Sequence, residues 1–296
     1  MNTEGQLQER SIPVTSTGTK KRAKLTLFQV IKYFFVWGYA ALTVGLFVWV
    51  TLTAFKSNRE IFADPFGLPS SFNFENFVNA WNSANMSSYF LNSLIVAAST
   101  VILCIVLGST VSFVIARFQF RGNMLLYALF IIGVTIPLQS LLLPIFFKMQ
   151  SLGLRNTLLS LIIVYTALNL PKAVFILVGF MKSIPKELEE AAIIDGCNYW
   201  KMFYKVIMPI SKPGISTVGI LVFIAAWNEY VFATILVSAD VARTLPLGLA
   251  NFQTSYASNY GLIAAGVLIS VIPVIIVYMI LQEQIIKGMT AGAVKG

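Results

Sequence analysis

The sequence predicts an all-α polytopic membrane protein: six transmembrane helices, with a two-helix loop ahead of the fifth. Three observations carry this. Of 296 residues, 57% are hydrophobic and only 11% charged, whereas a soluble domain carries about a quarter charged residues. Six apolar runs each approach or exceed the roughly 20 residues that a spanning helix needs. Lys and Arg collect in alternate connections between those runs, as the charge rule for membrane topology demands. In lipid a backbone must satisfy its own hydrogen bonds, so runs of this length read as helices.

The elements follow in order. Residues 1–28 are polar and then basic, and are expected to form a disordered N-terminal tail. No small-residue cleavage site accompanies the first apolar run, so a cleaved signal peptide is not expected. That run extends from Tyr33 to Phe55, between Lys32 and Lys56. Ser57 to Ser88 reads as an outer loop ordered in part by Phe72, Phe74, Phe77 and Trp81. The second run spans Tyr89 to Ala116 and stops at Arg117; the third spans Met124 to Phe147 and stops at Lys148. The fourth covers Thr157 to Met181, interrupted by Asn169, Pro171 and Lys172. Pro213–Val237 and Gly261–Gln282 complete the six. The transmembrane domain is thus placed at 29–286, with a C-terminal tail at 287–296.

Orientation follows from the basic residues. Arg10, Lys20, Lys21, Arg22, Lys24, Lys32, Arg117, Arg121, Lys182, Lys186, Lys201, Lys205, Lys212, Lys287 and Lys295 fall on one side, against Lys56, Arg59, Lys148, Arg155 and Arg243 on the other. Both termini are therefore expected to be cytoplasmic, in a multi-pass cell-membrane protein.

Composition also excludes functions. The 21 Lys plus Arg exceed the 12 Asp plus Glu, but they form no patch of the kind nucleic acid requires. There is no histidine, which removes the commonest general base and metal ligand of neutral pH. Cys104 lies in an apolar run and Cys197 in a polar loop, so neither a disulfide framework nor a zinc site is supported. No catalytic or metal-ligating set is assigned. No glycine-rich phosphate loop ending Gly-Lys-[Ser/Thr] occurs, so no nucleotide cofactor is expected on this chain.

The most informative stretch is the loop from Ser183 to Lys212. Ser183 can cap a helix with Pro185 in its first turn. Glu187, Glu189 and Glu190 suit its positive end, Leu188, Ala191, Ala192 and Ile194 give an apolar face, and Gly196 suits a left-handed stop. Asn198 can open a second helix with Tyr199, Phe203 and Val206 along one side, ended by Pro209 and Pro213. Two uses fit: an amphipathic hairpin on the lipid surface, or a helix that docks into a groove of a soluble partner.

Glu190-Ala191-Ala192, three residues, Gly196, nine residues, then Val206-Ile207-Met208-Pro209 resembles the loop pattern E-A-A, three residues, G, nine residues, I-x-L-P of permeases in binding-protein-dependent ABC importers. The spacing is kept, and the two departures conserve volume. Asn92-Ser93 and Ala116-Arg117 bound the second run as in the carbohydrate-uptake branch, and Ala226-Trp227-Asn228-Glu229-Tyr230 is similar to its A-W-N-E-[FY] segment. The ending from Gly288 to Gly296 resembles the G-L-T-x-G-A-V-K-G tail of the shorter membrane subunit in maltose-type transporters.

The resemblance implies a type I importer fold and a sugar permease subunit. It implies that Glu190, Ala191, Ala192, Asp195, Gly196, Phe203 and Pro209 couple to ATPase subunits, and that Thr290, Ala291, Gly292, Lys295 and Gly296 contact them from the C-terminus. The implied partners are a second permease subunit, in a heterodimer rather than a homodimer, a dimer of ATPase subunits that holds the ATP and magnesium, and an extracytoplasmic sugar-binding protein.

Polar residues inside a span default to functional readings. Trp227, Asn228 and Glu229 are candidates for the substrate pathway or gating, with helix–helix hydrogen bonding as the structural alternative. Lys172 lies ~14 Å above the inner edge of its run. It either lines the pathway and favours a carboxylate-bearing oligosaccharide, or snorkels after a shifted boundary. An ion-coupled secondary transporter using Lys172 and Glu229 is the rival reading.

Overall fold

A computed structural model describes residues 27–83, 85–255 and 259–293. The chain divides into two units, one up to Phe47 and one from Val48 onward. Helix α1 (Leu27–Ala54) begins in the first unit, where it is apolar but for Gln29 and Lys32 and has large exposed side chains, Phe34, Trp37 and Tyr39 included. An apolar helix with no polar face is built for lipid or for another apolar surface.

The second unit holds the remaining elements: α2 (Asn58–Ala63), α3 (Glu75–Ser83), α4 (Met86–Arg117), α5 (Asn123–Thr135), α6 (Leu142–Ser151), α7 (Leu158–Ser183) and α8 (Glu187–Ile194). Then come α9 (Tyr199–Met202), a π turn at Phe203–Ile207 and α10 (Met208–Ile210), which run on without a break. They are followed by α11 (Lys212–Trp227), α12 (Val231–Leu236), α13 (Leu245–Ser255) and α14 (Tyr260–Ala293). Among the described residues four helices are long and apolar enough to cross a membrane, or six when each sharply bent pair counts as one. The chain is an all-α polytopic membrane protein.

The centre of the second unit is the pairing of α4 with α7. Small residues let the two backbones approach, as in other membrane helix pairs. A methyl group on Gly108 would sit 3.3 Å from Ala173 Cβ. The Ser112 hydroxyl donates to the Val174 carbonyl (3.3 Å). Pro171 does not interrupt α7, contrary to expectation; the helix passes through it. Its ring lies against Gly133 of α5, where an added methyl would be 3.0 Å from Pro171 Cγ.

Two runs expected to be single helices are broken. The third bends by 97° between α5 and the segment Leu138–Ser151. Ile136, the residue before Pro137, is extended (φ −66°, ψ 125°), as the proline ring behind it dictates. The fifth, expected from Pro213 to Val237, ends as α11 at Trp227 and resumes as α12 at Val231. At the end of the chain, α14 carries helix through Pro273 to Ala293, well past the expected boundary at Gln282. Most of the expected N-terminal tail lies outside the described residues.

Candidate functional site

The loop 183–212 is two short helices fastened to the ends of α4 and α7. Ser183 does not cap the first of them. It is the last residue of α7, and its hydroxyl donates back to the Phe180 carbonyl (2.7 Å). Helix α8 starts two residues after Pro185 with no side-chain cap. Its stop is as expected: Gly196 takes a left-handed φ of +78°, and the amides of Gly196 and Cys197 close on the carbonyls of Ile193 and Ala192. These are the paired bonds of a glycine-terminated helix. Asn198 caps the second helix by accepting from the Lys201 amide (2.9 Å).

The second helix packs part of the expected side inward: Phe203 and Val206 join the core and Tyr199 does not. Tyr199 is exposed, while Met202, Phe203 and Ile207 are buried against Phe113, Met181 and Ile184. Pro209 stands at the end of the helix, as expected: α10 stops one residue later at Ile210, and the chain bends by 74° into α11, which Pro213 opens. Of the residues expected at the loop's coupling face, Glu190, Ala191, Asp195, Gly196 and Pro209 are exposed. Ala192 and Phe203 are not: they hold the loop on the chain's own core, with Phe203 5.0 Å from Phe113 between ring centres. Beside the exposed set, Ile193 and Ile194 stand open to solvent, Ile194 at 85%.

Sequence reasoning missed Arg117, seen there only as a boundary and a positive charge. Its guanidinium forms a buried ion pair with Glu189 and donates from Nη2 to the Ile184 carbonyl (3.1 Å). Burial pushes the Glu189 carboxyl above its ordinary pKa, although Arg117 and Lys186 both pull it down. Taking the carboxylate out of water therefore outweighs the stabilisation that the arginine returns.

Midway along α7, Lys172 lines a cavity of about 150 Å³ with Tyr165, Asn169, Gln139 and Glu229. It also borders a second cavity toward Val134, Phe175 and Leu221. The structure thus brings Lys172 and Glu229 to one opening. Glu229, however, is already occupied. Its oxygens accept from the amides of Phe232 (2.8 Å) and Ala233 (3.1 Å), and from the Tyr165 hydroxyl (2.5 Å). It caps α12 and closes the break after Trp227, which is the structural alternative for this residue. Lys172 is exposed and makes no ion pair among the described residues.

Trp227 does not face that cavity. It is buried, donates to the Ser270 carbonyl (3.1 Å) and packs between Phe223 and Phe90. Asn228 is exposed and its amide returns to the Ile224 carbonyl (2.9 Å); it borders a separate cavity with Tyr230 and Pro246. Thr290, Ala291 and Gly292 fall on the backbone of α14, and Lys295 and Gly296 lie outside the described residues.

Comparison with known proteins agrees with this architecture. The chain is 37% identical over 256 residues to a diacetylchitobiose uptake system permease protein of Streptomyces coelicolor, covering 86% of this chain and 85% of that one. It is 36% identical over 261 residues to a trehalose transport system permease protein of Mycobacterium tuberculosis, covering 88% and 94%. A melibiose/raffinose/stachyose import permease protein of Bacillus subtilis is 32% identical over 249 residues, covering 84% and 90%. The fold matches a bacterial ABC transporter structure, one involved in import of the acidic polysaccharide alginate, with a TM-score of 0.77 at 21% identity, over 90% of this chain and 99% of that one. Residues 105–291 match the family described as binding-protein-dependent transport system inner membrane component, and the chain belongs to that family.

Proposed function

We propose that this chain is the permease subunit of an ATP-driven importer of sugars or oligosaccharides, forming half of the translocation pathway. One observation carries the reading: on a chain of this family, the loop 183–212 presents Glu190, Ala191, Asp195 and the bare side chains of Ile193 and Ile194 outward while its other face is sealed. A helix with an open apolar and acidic edge suits a groove in a soluble partner. That partner is a dimer of ATPase subunits, which holds the ATP and magnesium; this chain binds neither. The loop and both termini are cytoplasmic, in keeping with the lysines and arginines there. A second, different permease subunit completes the pathway, and an extracytoplasmic binding protein delivers the sugar. The names of the three relatives above specify sugars, which supports that substrate class. An ion-coupled secondary transporter is not favoured by the family, and Glu229 is spent on capping α12.

The test is assembly. Tagged chain, expressed with its neighbouring transport genes and extracted in mild detergent, retains ATPase subunits, and Glu190→Lys or Ile194→Asp removes them. Retention of ATPase by both variants, or none by the parent, contradicts the reading.

Lys172 supports a finer proposal. An ammonium in mid-span costs roughly 2.5–3.5 kcal/mol to insert, and here it opens into a cavity with no ion-pair partner among the described residues. A substrate bearing carboxylates supplies that partner. Lys172→Ala then lowers uptake of a uronate-bearing oligosaccharide about tenfold more than uptake of its carboxyl-reduced counterpart. Equal loss for the two removes this proposal and leaves the first intact.

A further inference from the structure

Helix α4 is fastened at both ends by side chains that reach other parts of the fold. At one end Arg117 meets Glu189 of α8 and the Ile184 carbonyl, and the two charged side chains are only 4% and 12% exposed. Phe113 and Phe118 extend the joint, each 5.0 Å between ring centres from Phe203 and Tyr199 respectively. At the other end, Asn92 donates to the carbonyls of Val241 and Arg243, both at 2.9 Å. Ser93 Oγ accepts from the Leu245 amide (2.7 Å). Asp240 accepts from the Tyr89 hydroxyl (2.6 Å) and the Asn85 amide (3.0 Å). Between Asn92 and Arg117 the helix runs unbroken for on the order of 38 Å.

We propose that Arg117 is the positioning residue of the loop: by gripping Glu189 and the Ile184 carbonyl it makes α8 ride on α4, and α4 delivers displacement of the loop to the segment Asp240–Leu245. This rests on the coupling role of the loop proposed above. Apolar packing alone holds two elements together but lets them slide. A guanidinium fixed to a carboxylate and a carbonyl also sets direction, because its donors are planar and rigid. The contribution of the pair is its geometry.

The test uses the assembled transporter in lipid nanodiscs, with Cys197→Ser and spin labels at Leu188→Cys and Val241→Cys, sites 44% and 80% exposed. In the parent, the label–label distance is narrow and agrees within about 2 Å between the nucleotide-free and the ATP–vanadate states. In Arg117→Met/Glu189→Leu, a pair chosen to keep the joint packed, the distribution broadens. Stimulation of ATP hydrolysis by the binding protein falls roughly tenfold while basal hydrolysis persists. The conservative variant Arg117→Lys, which still donates to Glu189 and to the Ile184 carbonyl, keeps more of both than the apolar pair does. A parent distance that moves with nucleotide, or an apolar pair that keeps a narrow distance and full stimulation, overturns the proposal. If the parent assembles with no ATPase, it is the coupling reading that fails instead.

Discussion

Two cations interrupt the apolar body of this chain, and they have opposite fates. Arg117 ends α4 almost fully buried, with Glu189 and a backbone carbonyl around it. Lys172 sits in the middle of α7, exposed to a cavity, with no ion pair among the described residues. A charge whose partner lies in the same chain holds that chain together. A charge left open in a span needs a partner from elsewhere, because the membrane offers none. On the roles proposed above, the difference separates the part of the molecule that transmits movement from the part that meets the transported solute.

The sharpest way to break this contrast is to remove each charge in turn. Arg117→Met leaves the Glu189 carboxylate buried without its donor, a change that costs about 3 kcal/mol. Lys172→Met relieves an uncompensated charge and leaves stability unchanged or higher. Denaturation of the two variants in the same detergent checks this, and equal losses would erase the contrast.

Glu229 tests whether a carboxylate beside Lys172 belongs to the fold. Glu229→Gln keeps the shape but weakens three hydrogen bonds to a charged acceptor, costing about 1.5–2 kcal/mol. The loss appears as a lower unfolding midpoint and is the same with Lys172 present or replaced. A strong dependence on Lys172 would show that the two residues pair. Gly196→Ala sharpens the loop side. A side chain at φ +78° costs roughly 1–2 kcal/mol, and nothing lies within 4 Å of the added methyl, so the loss is backbone strain alone. Rapid proteolysis after α8, without loss of the membrane-embedded helices, is the expected outcome.

The smallest effect is that of acid. Burial places the folded pKa of Glu189 above its ordinary value of 4.5, with Arg117, Lys186 and Glu190 as the charges around it. The folded chain therefore takes up this proton more readily than the unfolded chain. The stability that Glu189 contributes is fully present below pH 4.5 and is lost as pH rises through the folded value. Mild acid thus removes the charge from the Arg117 pair without unfolding the loop. Binding-protein stimulation should fall at a pH above 4.5 with no drop in thermal stability, and Glu189→Gln should abolish that step. Glu60, held down to about 2 by hydrogen bonds from Ser70 and Ser57, stays charged throughout, so the segment around α2 does not respond.

The features legible in the residues are those settled locally. Long apolar runs, the stop at Gly196 and the cap at Asn198 depend on neighbours in sequence, and they appear where expected. The break at Ile136-Pro137 was also local, but an apolar average across Met124–Phe147 conceals it. The break at Asn228–Tyr230 was hidden in the same way. The inward turn of Phe203, the burial of Trp227 and the Arg117–Glu189 pair depend on contacts with other helices. No period along the chain carries that information. Lys172 was conspicuous because a central lysine is costly wherever it points, though only the fold shows it opening into a cavity beside Glu229.

On the function proposed above, the loop 183–212 is the place where an ATP-hydrolysing partner pushes. A photo-crosslinking residue in place of Ile194, activated in intact membranes of cells producing the whole transporter, tests that directly. One dominant adduct is expected, to the ATPase subunit. An adduct to the binding protein, or labelling of the same position by an impermeant reagent from outside the cell, would contradict it.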